Sequence, residues 1–152
     1  MTKIARVVAG LAVAAGVFAL TGCAADPDVT SLDAELASVP AVNAAETTVS
    51  HPGAPWNTEI LVTLFVSDTS DQTVIDAVRG AAPVLAADPD VSRHTVSIGL
   101  LPGEPADYPS ASDYAASQIV IGDSAAAELG IASGEFARLS PDDLERLAGD
   151  AR

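Results

Sequence analysis

This chain has one cysteine, one lysine, two histidines and six aromatic residues among its 152 positions. A single cysteine cannot close an intrachain disulfide, so stability must come from packing alone. Nor can Cys23 with His51 and His94 supply the clustered ligands that a zinc site requires. No Gly-x-Ser-x-Gly elbow is present. His51 sits in a Pro/Gly turn and His94 at the start of a strand pattern, and neither adjoins a nucleophile. Gly122, Gly130 and Gly134 are too far apart for a dinucleotide fingerprint or a Walker loop. The chain is therefore expected to use no cofactor and no metal. Basic residues are scarce as well, and the net charge of −14 repels nucleic acid phosphates.

One long apolar run breaks this pattern. Lys3 and Arg6 form a positive head, and Val7 to Leu20 follow as fourteen residues without charge. Such a run spans only about 21 Å as a helix, short of a hydrocarbon core of roughly 30 Å. Positive head, short apolar stretch and small residues before a cleavage point are the marks of a secretory signal.

The run ends in Leu20-Thr21-Gly22-Cys23. This resembles the lipobox of bacterial lipoprotein precursors, a leucine and two small residues before a cysteine. The resemblance implies that the Cys23 thiol takes a diacylglyceryl group and that a peptidase cuts between Gly22 and Cys23. Residues 1–22 would be a removed signal peptide and 23–29 a lipidated tether, leaving 30–149 as a single acidic domain. Palmitate-length chains would contribute on the order of 20 kcal/mol of membrane affinity. The expected location is the outer face of the cell membrane. The mature chain keeps 5 basic and 21 acidic residues, a balance of −16. Charge would then hold the body off anionic headgroups, and lipid must do the holding.

Past the tether, Thr30 with Asp33 reads as a capping box, and Val29, Leu32, Leu36 and Val39 as the face of a first helix. Pro40 ends it. Val42 to Ser50 reads as a weak edge strand. The helix–Val39-Pro40-Ala41-Val42–strand corner faintly resembles that of small ferredoxin-like domains, some of which carry heavy metals on paired cysteines. Without a second cysteine here, the resemblance bears on fold alone. Glu59 to Val66 is apolar on both parities and is expected to be central. Thr69 with Gln72 caps a second helix with a Val74, Val78, Ala81, Leu85 stripe, which Pro83 should kink or end early. His94 to Leu101 alternates as a half-buried strand, and Ile119 to Ile121 suggests a short fourth one. Asp123 should cap an alanine-rich helix closed by Gly130. Ser140, Pro141 and Asp143 open a last helix that Leu139 staples onto Leu144 and Gly149 ends. The expected architecture is an α+β two-layer sandwich, with three or four mainly antiparallel strands and helices on one face.

Asp68 with Asp71, Asp88 with Asp90, and Asp142 with Asp143 could ligate calcium, but each pair sits where aspartate caps helices or marks turns. Two stretches could meet a partner. His51-Pro52-Gly53-Ala54-Pro55-Trp56-Asn57 is a stiff turn carrying His51 and the only tryptophan, Trp56, a favoured interface anchor. The Pro102 to Tyr114 loop presents Tyr108 and Tyr114. The function these features suggest is a non-enzymatic accessory module that binds a protein partner in the envelope. A small hydrolase with a non-local carboxylate site and a weak divalent-cation binder are the alternatives.

Overall fold

The computed structural model describes residues 26–151. The signal segment 1–22 and the lipobox residues Gly22 and Cys23 lie outside the described residues. Four strands make one sheet in the order β1-β2-β3-β4: Val42–Ser50, Glu59–Val66, Thr95–Pro102 and Ala137–Leu139. β1 with β2 and β3 with β4 are antiparallel, whereas β2 with β3 is parallel. The parallel pair follows from the connection. α2 (Asp71–Ala87) carries the chain back along the sheet before β3 begins, as a crossover helix must.

β2 is central, as its two-sided apolar pattern predicts, and Ile60, Val62, Leu64 and Val66 point into the main core. Val96, Ile98 and Leu100 of β3, with Ala137 and Leu139 of β4, continue that inner face. The layer above it consists of α1 (Leu32–Leu36), α2, α4 (Asp123–Leu129) and α5 (Pro141–Asp150). α2 lies at its centre and touches α1, α4, α5 and β2. Its buried side is wider than the expected stripe, adding Ile75, Ala77 and Ala82 to Val74, Val78, Ala81 and Leu85. Of the expected first-helix face only Leu32 and Leu36 lie on α1, both fully buried; the helix ends at Leu36, before Pro40 is reached, and Val29 and Val39 pack against the core from the flanking turns.

Several local expectations are corrected. α1 starts after Ser31 rather than Thr30, and no side-chain cap closes it; the Asp28 carboxylate takes the Thr30 amide instead. α2 is capped by Ser70, whose hydroxyl accepts from the Thr73 amide. Pro83 does not end α2. The buried residues on both sides of it hold the backbone helical through Ala87, offsetting a cost of about 3 kcal/mol. Gly122, not Asp123, is the N-cap residue of α4, while Gly130 closes it at φ 66° as predicted. The box of α5 is complete, with Pro141 in its first turn, but the helix runs through Gly149 to Asp150.

The fourth strand is misplaced in the sequence reading. Ile119 and Ile121 are buried, but the segment makes only one bridge, Ile121 to Gly134. Ala137–Leu139 takes the ladder position beside β3 instead, too short for its alternation to register as a strand. β3 is not half-buried either, since Ser97 and Leu101 on its second side are also covered. Both belong to the other face of the sheet.

Candidate functional site

The pairing register aligns that second face. Glu46 and Thr48 of β1 stand beside Thr63 and Leu61 of β2, and these beside Gly99 and Ser97 of β3. Arg138 of β4 is opposite Ser97. At one end the face is closed by a short helix, α3 (Ala111–Ser117), and a 3-10 turn at Pro105–Asp107. Phe65, fully buried, sits there under Tyr108 and Tyr114, each ring centre 6.0 Å from its own. The two tyrosines meet edge to face at 5.4 Å. Tyr108 donates its hydroxyl to the Pro102 carbonyl, and Tyr114 donates to Glu46 at 2.9 Å. Burial raises both phenols above their usual range, Asp107 adding to the effect at Tyr108 and Glu46 at Tyr114. Tyr114 thus stands on α3 rather than in a loop, and both tyrosines, half-buried, pack over Phe65.

The other end of the face is open. Between them Gly99 leaves room for two side chains to lie against the sheet; a Cβ there would come within 3.3 Å of the Phe136 ring and 3.2 Å of Gln118 Nε2. Gln118 Nε2 donates to the Glu135 carbonyl at 2.6 Å and so fixes the segment that leads into β4. Beyond Phe136 lies an open cavity of about 430 Å³, lined by Glu59, Leu61, Ser97, Glu135, Phe136 and Arg138. Phe136 is 46% exposed, a large aromatic turned partly to water at the cavity wall.

Its floor is an ion pair. Glu59 is a buried carboxylate whose Oε1 receives the Ser97 hydroxyl and, at 2.8 Å, Arg138 Nη2. The Ser97 bond first, and the Arg138 bond and charge after it, hold the Glu59 carboxyl below the usual glutamate range against the opposing effect of burial. A carboxylate so held is a weak proton acceptor, and no histidine lines this cavity. The Ser97 hydroxyl donates to that carboxylate. On the far side of the pair a smaller recess of about 160 Å³ is lined by Pro52, Asn57, Thr58, Thr95, Glu59 and Arg138. The arrangement can therefore hold a ligand or a partner side chain, with Arg138 as a donor and Leu61 and Phe136 as apolar walls.

Trp56 stands outside the cavity at the hairpin tip, 86% exposed. His51, in the same turn, is paired with Asp26 at 3.0 Å. His94 ends the turn before β3, its amide bonded to the Val91 carbonyl. The acidic pairs behave as caps: Asp68 accepts from the Ser70 amide, Asp88 from Asp90 and Val91, and Asp143 from Ser140. Among the described residues no three His, Cys, Asp or Glu side chains gather as metal ligands. Also among them, no helix is long and apolar enough to cross a membrane.

Sequence reasoning missed Glu59, Ser97, Phe136 and Arg138. The available signals were a lone acid opening an apolar strand and an arginine between the apolar residues Ala137 and Leu139. The chain matches no family model, no curated protein and no solved structure with which it was compared.

Proposed function

We propose that this chain is a lipid-anchored accessory protein of the bacterial envelope that binds a protein partner through the open half of its second sheet face. The observation that carries the reading is the cavity over Glu59 and Arg138. An apolar wall and a cationic donor face solvent there, above a Glu59 carboxylate already bonded to Ser97 and Arg138. The lipobox resemblance at Leu20 to Cys23 supports attachment to the membrane, and the strongly acidic body supports attachment by lipid rather than by charge.

The test is in-cell photocrosslinking from position 136, with mass spectrometry of the adduct. The expected result is one protein captured from 136 and lost when Arg138→Glu is added. An adduct pattern identical to that from a photoreactive residue at exposed Glu145 on α5 would sink the reading.

A further inference from the structure

The hairpin tip between β1 and β2 meets the start of the described chain. Asp26 Oδ1 lies 3.0 Å from His51 Nε2, joining positions 25 residues apart. Just inward, Asp28 holds the amide and hydroxyl of Thr30, and Val29 packs against the core. The chain is thus fixed to the body from Asp26 onward. Cys23 precedes Asp26 by three residues, which reach at most about 11 Å when fully extended. A lipid carried by Cys23 must enter its bilayer close to this tip.

The tip suits that position. His51-Pro52-Gly53-Ala54-Pro55-Trp56-Asn57 contains no acid in a chain that has 21. The flanking carboxylates, Asp26 and Glu59, are paired with His51 and Arg138. The turn is braced by its own bonds: the Asn57 amide donates to the Ala54 carbonyl at 3.0 Å and Asn57 Nδ2 to the Pro52 carbonyl at 2.8 Å. It holds Trp56 out at 86% exposure, the highest of any large hydrophobic side chain among the described residues. Among the described residues nothing takes that apolar area out of water. An indole, apolar in body with one polar N–H, settles at the headgroup level of a membrane.

We propose that the hairpin tip rests on the bilayer its own anchor enters, with the Trp56 ring in the headgroup layer. The contact sets the orientation of the body and therefore the direction in which the open sheet face points. It deepens the anchoring reading above and rests on it. One side chain binds lipid weakly alone, but a short tether keeps it at high effective concentration over the surface. The remaining acidic surface is repelled by anionic headgroups, and the tip is the patch spared that repulsion.

Trp56 is the chain's only tryptophan, so its fluorescence reports this contact without any substitution. The full-length protein is produced in a bacterium that acylates lipoproteins, and its mature mass is measured. It is then reconstituted into phosphatidylcholine vesicles with or without brominated acyl chains. The expected result is a diacylated chain starting at Cys23, with emission shifted to the blue and about a twofold loss of intensity in brominated vesicles. A diacylated protein whose emission ignores bromine and stays open to aqueous iodide overturns the inference and leaves anchoring intact. That outcome would return Trp56 to the role of a protein contact. A chain with Cys23 bare overturns both.

Discussion

Glu59 and Arg138 belong to strands that are not neighbours in the sheet, yet Arg138 Nη2 lies 2.8 Å from Glu59 Oε1, reached past Ser97 on the strand between them. Glu59→Ala leaves the buried Ser97 hydroxyl without its acceptor and should cost about 2 kcal/mol in urea unfolding. Because the folded-state pKa is depressed, this carboxylate stabilises fully above the ordinary glutamate value of 4.5. Its contribution disappears as pH falls through the lower folded value. Arg138→Ala should cost only about 1 kcal/mol at neutral pH, since the guanidinium is largely exposed. It should also move the Glu59 part of the acid transition to higher pH. An acid limb unchanged in both Arg138→Ala and Glu59→Gln would show that the pair does not contribute to it.

Gly80 of α2 faces Val39, in the turn after α1, so closely that an added Cβ would overlap Val39 Cγ1. Glycine to alanine inside a helix ordinarily stabilises by roughly 0.5–1 kcal/mol. Here Gly80→Ala should destabilise by about 1–3 kcal/mol, because the buried, β-branched Val39 cannot turn away. Adding Val39→Ala should recover part of that loss. Additive losses in the double variant would refute the steric account.

Pro83 interrupts the hydrogen bonding of α2 without interrupting the helix. Pro83→Ala supplies the missing N–H and relieves the clash one turn back. A gain of about 1–2 kcal/mol is expected after allowing for the greater freedom of the unfolded chain. Differential scanning calorimetry should show a higher Tm; a lower one would mean that the ring's packing beside Ala86 and Ala148 outweighs the backbone term.

The capping box of α5 couples Ser140 and Asp143 in both directions, at 3.2 and 3.1 Å. Ser140→Ala should cost about 1 kcal/mol. Hydrogen exchange should rise first in the opening turn of α5, before Leu147, whereas a uniform rise would point to global rather than local loosening.

Periodicity carried the sequence reading where a segment's partners are its own neighbours. β2 announced its centrality through apolar residues of both parities, and α5 through a cap, a proline and a box within four positions. Caps with competing candidates were less legible: Thr69 and Ser70 both offer oxygens, and only backbone geometry chose Ser70. Ala137–Leu139 offers three residues of alternation, too few to outweigh the stronger Ile119 to Ile121 signal.

From the order of residues alone came the short apolar run with its lipobox-like end, the acidic composition, the α+β class and the inner face of the sheet. Each depends on composition or on spacing within one segment, which chain connectivity cannot alter. Tertiary structure alone decided the rest: the parallel β2–β3 pair, the Phe65, Tyr108 and Tyr114 cluster, the Glu59–Arg138 floor and the meeting of Asp26 with His51. Those contacts join residues tens of positions apart, and no local pattern records which distant partner will stand opposite when the register is set.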